Sequence, residues 1–383
     1  MSSLVSHLDL IVPPEKATHT HSTGPDTTSN AGTFAYATNS AFQRSIYQKC
    51  EPYVPDLKGL KTITVVDYGC GPGRNWTYGL NLLLSRADED IQYQLVLNDG
   101  MKTDWKEVAQ VVQDYRAGQC GRQIGHFAVL PGTFYDQIMP DRTVDIGMAW
   151  SSFHWLERTP PPMDIQPNED YYTAWQANIR SQGLEDLTKL LCLRAREIKP
   201  GGHLLVVIPT TPASSVKVYW EAFLEAFKRC LKDGTITPEQ WRAFRAPFFQ
   251  PTEDDLRQIL TTVRDLWHLP IPWAYHTLAH PAWKTLQDSE KTQQDYEEYV
   301  DGIAGFFMAL IRDVLVRALR GGEGINLECP AANEQSILQQ VTTRFREAVL
   351  SEELRNKRPE SCWLAMRLVR KHGVNILEAK ANL

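Results

Sequence analysis

The feature that most constrains this chain is a run of glycines, Asp67-Tyr-Gly69-Cys-Gly71-Pro-Gly73. It follows a short β-branched run, Lys61 to Asp67, and precedes Trp76 to Leu84, whose apolar residues predict a helix. Strand, glycine-rich turn and helix together form the opening unit of an open α/β sheet. Such sheets bind ligands beyond the carboxyl ends of their strands, where the topology switches. Glycines at that place let the backbone take positive φ and pass close to a ligand.

The pattern continues in kind. Strands are predicted at Tyr93 to Asn98, Phe127 to Leu130, Val144 to Trp150 and His203 to Ile208. Helices are predicted at Asn39 to Cys50, Trp105 to Tyr115 and Leu184 to Ile198, the last stopped by Lys199-Pro-Gly-Gly202. Alternation of this sort predicts a largely parallel sheet with helices on both faces. After Pro209 the pattern turns helical, at Val216 to Leu231, Pro238 to Phe244, Glu253 to Leu260 and Ile303 to Leu319, until Ser361 to Val369 offers a returning strand. The expected organisation is a flexible tail over 1–33, an α/β core over 34–212 and 340–383, and a mainly helical cap over 213–339.

Composition excludes several functions. The 383 residues carry 40 Lys and Arg against 46 Asp and Glu, a net charge of −6. A nucleic-acid partner needs a basic face, so none is expected. The most apolar stretch, Ile303 to Leu319, is broken by Arg312, Asp313 and Arg317, so no membrane span is expected. The first residues lack the basic and apolar regions of a secretory signal. Seven scattered cysteines without a C-x-x-C pair suggest reduced thiols and a cytoplasmic protein. His276 and His280 are four apart, but no nearby Glu completes a metal-hydrolase motif and Pro281 follows at once, so no metal is expected. No G-x-S-x-G elbow is found.

The glycine spacing separates three ligands. A P-loop would need Gly-Lys-Ser/Thr, and no lysine follows Gly73. A dinucleotide site would read G-x-G-x-x-G, and Arg74 stands where its last glycine would be. S-adenosylmethionine remains: it has no phosphate to clamp, and an acid near the turn can hold its amino group. Asp99, closing the second strand, is placed to accept from both ribose hydroxyls. The competing explanation has Asp67 and Asp99 as helix caps only.

Further motifs resemble a family. Tyr36-Ala-Thr-Asn-Ser-Ala-Phe-Gln43, Asp67-Tyr-Gly-Cys70, Leu97-Asn-Asp99, Pro131-Gly-Thr-Phe-Tyr135 and Ser152-Phe-His-Trp-Leu156 are similar, in order, to motifs of the SABATH carboxyl methyltransferases. The resemblance implies a Rossmann-like class I methyltransferase sheet with a helical cap. It further implies that Ser40 and Asp67 hold the methionine end of the cofactor and Asp99 its ribose. Thr133 and Phe134 would flank adenine, and Tyr36, Gly69, Gly71 and Asn75 would complete the cofactor site. Gln43 and Trp155 would hydrogen-bond a substrate carboxylate, and Trp220 and Phe249 would line its pocket. Relatives often form homodimers, so one is admitted here. Departures from the family are Gly71-Pro-Gly-Arg74 in the turn, Gly100 in place of a leucine, Ser151-Ser152 in place of Tyr-Ser, and a segment from Pro160 to Gly183 that does not align.

The expected activity is methyl transfer from S-adenosylmethionine to a small-molecule carboxylic acid, giving its methyl ester. A carboxylate is ionised at neutral pH, its reference pKa being about 4, so no base is needed. Catalysis then reduces to alignment and exclusion of water. Neutral donors such as Gln43 and Trp155 orient an anion without quenching it. Two alternatives stay open: a phenol or ring nitrogen as acceptor with His154 as base, or an inactive relative that only binds the cofactor.

Overall fold

A computed structural model describes residues 45–118, 125–158, 160, 171–210, 216–321 and 331–373. The expected tail and the motif from Tyr36 to Gln43, with Ser40, lie outside the described residues. Only the end of the helix predicted from Asn39 is described, leading into a 3-10 helix at Gln48–Tyr53.

Eight strands form one mixed sheet. They are β1 (Thr62–Tyr68), β2 (Gln92–Asp99), β3 (His126–Pro131), β4 (Val144–Trp150), β5 (Ile198–Pro209), β6 (Trp267–His268), β7 (Ala274–Ala279) and β8 (Glu360–Arg370). The order is β3-β2-β1-β4-β5-β8-β6, with β7 also paired to β8. The first five are parallel, in register Asp67↔Leu97 and Asp67↔Met148. Strand β8 runs antiparallel to β5, β6 and β7. The order reverses between β1 and β4, so a crevice opens beyond Asp67.

Nine helices are described: α1 (Asn75–Leu84), α2 (Trp105–Gly118), α3 (Tyr171–Glu197), α4 (Val216–Lys232), α5 (Pro238–Ala243), α6 (Glu253–Thr262), α7 (Pro281–Asp288), α8 (Gln293–Leu319) and α9 (Ala331–Val349). The central strands are apolar on both faces, as parallel strands under two helical layers must be. Val65, Leu95, Leu97 and Met148 join Trp76, Leu80 and Val108 in one core. Val66, Val96, Leu204 and Val206 join α3 and the cap helices in the other.

Three elements differ from the sequence expectation. Helix α3 begins thirteen residues earlier than Leu184. Its apolar stripe, Trp175, Ile179, Leu187, Leu190 and Leu191, is interrupted by Gly183, where the Phe249 ring fills the missing side-chain space. Lys199-Pro-Gly-Gly202 is a bulge inside β5 rather than a separate turn, with the pairing shifting from Val144↔Ile198 to Ile146↔His203 and Gly201 at φ +83°. Within the region expected to be mainly helical, two strands that were not expected, β6 and β7, join the sheet along β8. No helix among the described residues is long and apolar enough to cross a membrane.

Candidate active site

The glycine turn is stitched to the end of β2. Gly69 N and Cys70 N both donate to Asn98 O, at 2.8 and 3.0 Å. Gly71 N donates to Asp99 Oδ2 at 2.6 Å, and Gly100 N to Asp99 Oδ1 at 2.6 Å. Gly69 and Gly71 stand at φ +86° and +62°, the left-handed region that a Cβ disfavours. After these two N–H groups and the Thr103 side chain, the Asp99 carboxyl retains acceptor capacity for one further donor. Burial raises the Asp99 pKa, and the bonds from Gly100, Gly71 and Thr103 pull it back.

Asp67 lies at the carboxyl end of β1, almost fully buried, and its Oδ1 has no hydrogen-bond partner among the described residues. Burial, then repulsion from Asp99, holds its carboxyl well above the usual range. Two further buried acceptors at the glycine turn, Asn98 Oδ1 and Ser152 Oγ, also lack partners among the described residues. Such orphans are costly unless a ligand satisfies them. Arg74 lies outside this group, its guanidinium pairing with Asp114 on α2 at 2.7 Å. Asn75 follows as the first residue of α1.

The loop after β3 closes the crevice from the other side. Asn98 Nδ2 donates to Leu130 O and Gly132 O, at 2.9 and 3.0 Å, and Gly132 N donates to Asp99 O at 2.8 Å. Thr133 Oγ1 accepts from Tyr135 N. The Phe134 ring packs on Tyr135 and Phe153, with centroids 5.1 and 5.9 Å away, and one edge faces Gly69. Gly69, Gly71, Asp67, Asp99, Thr133 and Phe134 therefore meet around one crevice.

Beyond β4, Ser151 takes a left-handed φ of +59° and turns the chain toward the cap. Phe249 N donates to His154 O at 2.8 Å, Leu156 N to Pro247 O at 2.7 Å, and Tyr135 OH to Trp155 O at 2.6 Å. His154 is buried, and its Nδ1 has no partner among the described residues. Burial lowers its pKa to about 3. Trp155, half-buried, meets Phe248 edge-on at 5.5 Å, and Trp220 meets the same ring at 5.5 Å and Phe307 at 5.1 Å.

The structure thus joins Trp155 to Trp220 through Phe248, which the sequence reasoning passed over. Phe249, its expected counterpart, turns the opposite way and packs on Gly183 of α3. Neighbouring residues of an extended segment point to opposite sides, so Pro-Phe-Phe could supply only one ring to this wall. Ser152 and Asn98 were also missed, although both stand inside recognised motifs. No cluster of three potential metal ligands occurs among the described residues.

A crevice at the switch point, lined by carboxylates and orphaned acceptors and lacking a phosphate-binding lysine, suits a cationic nucleoside without phosphate. Comparison with known proteins agrees. A family model described as SAM dependent carboxyl methyltransferase matches residues 26–322. A Fusarium methyltransferase, LUC1, is 27% identical over 75% of this chain and 82% of its own length. Indole-3-acetate O-methyltransferase 1 of rice is 22% identical over 52% of this chain and 59% of its own. The structure of a loganic acid methyltransferase with S-adenosylhomocysteine superposes with a TM-score of 0.68 at 17% identity, covering 91% of this chain and 98% of that one. The fold is that of the class I methyltransferases and the cofactor is S-adenosylmethionine. On this match and this geometry, the chain belongs to the SAM-dependent carboxyl methyltransferases of the SABATH family.

Proposed function

We propose that the protein methylates the carboxylate of a small organic acid, with the aromatic chamber of Trp155, Phe248 and Trp220 receiving the acid. The observation that carries this is His154. A phenol or a ring N–H needs a base, and His154 is the candidate beside the chamber. Its imidazole, lowered to about 3 from 6.5, resists protonation by something on the order of 5 kcal/mol. That favours a substrate whose nucleophile needs no base, and a carboxylate, ionised at neutral pH, is one. The rice and loganic acid relatives, both named for acids, support the same reading.

Bound S-adenosylmethionine supplies an electrophilic methyl group. The residues suited to hold it are Asp67 for the amino-acid end, Asp99 for the ribose, Thr133 and Phe134 for the adenine, and Gly69, Gly71 and Asn75 in the turn, with Tyr36 and Ser40 assigned from the resemblance. Trp155 orients the substrate carboxylate through its indole N–H, and Gln43 does so through its amide. The neutral His154 ring keeps the chamber dry and free of competing charge. Trp220 and Phe248 exclude water around the reacting oxygen, where alignment can be worth several kcal/mol.

A radiolabelled methyl-transfer screen over mono- and dicarboxylic acids, phenols and purines tests this. Acids should be turned over with a rate flat between pH 6 and 9. A rate that climbs through the histidine range and loses that climb in His154→Asn would favour the base-assisted alternative. Cofactor binding without turnover of any acid would favour an inactive relative.

A further inference from the structure

Arg194 and Glu197, in the last turn of α3, are both completely buried and 3.0 Å apart. Their partners lie along the two walls of the cofactor crevice. Arg194 Nη1 donates to Phe134 O and Nη2 to Asp136 O, each at 2.9 Å. Glu197 Oε1 accepts from Ile138 N at 2.6 Å, and Oε2 from Tyr68 OH at 2.6 Å. The guanidinium carbon lies over the Tyr68 ring, 4.1 Å from its centroid. Tyr68 stands between Asp67 and Gly69. One ion pair therefore touches both the residue that leads into the glycine turn and the loop that carries Thr133 and Phe134.

Burying two charges costs several kcal/mol per ion, and apolar replacements of such pairs are often as stable or more so. Stability alone is a weak reason for this pair. Its geometry does what an apolar pair could not, fixing two carbonyls and an amide of an irregular loop at set distances from β1. The planar fork of an arginine serves two carbonyls two residues apart from separate nitrogens, a spacing that the single nitrogen of a lysine does not reproduce.

We infer that Arg194 is a positioning residue for the cofactor: with Glu197 and Tyr68 it sets the spacing between the glycine turn and the Thr133–Phe134 loop, and thereby the affinity for the adenosine end. This rests on the assignment of Thr133 and Phe134 to the adenine, which Phe134→Ala tests separately.

The experiment is calorimetric titration of Arg194→Lys with S-adenosylhomocysteine and with 5′-methylthioadenosine, which lacks the amino-acid tail. Amide hydrogen exchange of the free protein runs beside it. Both ligands should weaken by about tenfold, as expected for the loss of a charge-assisted hydrogen bond. Faster exchange should be confined to residues 132–138, with β1, β4 and β5 as protected as before. Affinities within twofold of wild type, or exchange rising equally across the sheet, would overturn the inference. If Phe134→Ala leaves binding intact, the adenine assignment fails instead. Should Arg194→Lys not fold, Tyr68→Phe carries the same readouts, with about a threefold loss expected from the one missing bond to Glu197.

Discussion

Gly69 and Ser152 approach so closely that a Cβ on the glycine would overlap the serine side chain, with the Phe134 ring next nearest. Gly69 is thus fixed twice, by its positive φ and by a neighbour rooted in the backbone after β4. Gly71 shares the positive φ but faces open space. Gly71→Ala should therefore cost only about 1–2 kcal/mol, the price of a left-handed alanine. Gly69→Ala should cost more than that in stability and lower S-adenosylhomocysteine affinity at least about tenfold, because relief requires the turn or Ser152 to move into the crevice. Thermal unfolding and calorimetry on both variants check the ranking. Equal effects would mean that Ser152 yields freely.

Asp67 and Asp99, proposed to hold the cofactor, should make its binding depend on pH. Both carboxyls lie above their usual range in the free protein, Asp67 the further, through burial and then through Asp99. A ligand with a cationic amino group favours ionised Asp67 and lowers its pKa. Binding then releases a proton wherever the free carboxyl is protonated. Affinity should be constant at high pH and fall as pH drops through the raised Asp67 pKa, by up to about 1.4 kcal/mol per unit. Titrations in two buffers of different ionisation enthalpy count the released proton. In Asp67→Asn the affinity should be weaker and most of the release should disappear; an unchanged release would assign it elsewhere.

How far the sequence carried these conclusions depends on what each residue needed. Strand β4 was legible because its residues are apolar on both faces and bounded by turn chemistry, and it spans Val144 to Trp150 residue for residue. Asp67, Gly69 and Asp99 were legible because backbone conformation and charge constrain them locally. Phe248 was not, since which of two adjacent rings faces the chamber depends on Gly183, more than sixty residues away. The start of α3 was hidden by that same glycine, which breaks the apolar stripe. Arg194 and Glu197 read as an ordinary charged helix end, and only the packing of α3 beneath the Phe134 loop buries them. Strands β6 and β7 are short or half-exposed, and acquire their identity from the edge that β8 offers.

The two phenylalanines should separate binding from folding. Phe248 contacts Trp155 and Trp220, whereas Phe249 packs on α3. Phe248→Leu should raise KM for the methylated acid about five- to tenfold, since a ring contact at the chamber is worth roughly 1 kcal/mol beyond its area. Phe249→Leu should leave KM near the wild-type value and lower thermal stability, with a cost of about 1–2 kcal/mol because a leucine fills the Gly183 notch imperfectly. Steady-state kinetics with unfolding scans distinguish the two, and a KM change in Phe249→Leu as large as in Phe248→Leu would place both rings in the chamber.

Tyr68 and Tyr299 invite the same substitution with opposite outcomes. Each is almost fully buried. The Tyr68 hydroxyl donates to a buried carboxylate, Glu197 Oε2, at 2.6 Å. The Tyr299 hydroxyl, on α8 with Trp283 edge-on at 5.9 Å, has no hydrogen-bond partner among the described residues. A hydrogen bond to a charged group contributes about 1.5–3 kcal/mol, while an unmet buried hydroxyl costs about 1–3 kcal/mol. Tyr68→Phe should therefore lower the unfolding temperature. Tyr299→Phe keeps the ring and removes only the unmet group, so it should leave that temperature unchanged or raise it. Thermal scans on the full chain at one protein concentration and scan rate compare the two directly. A loss in Tyr299→Phe matching that in Tyr68→Phe would show that the hydroxyl has a partner in solution, such as a buried water between α8 and its neighbours.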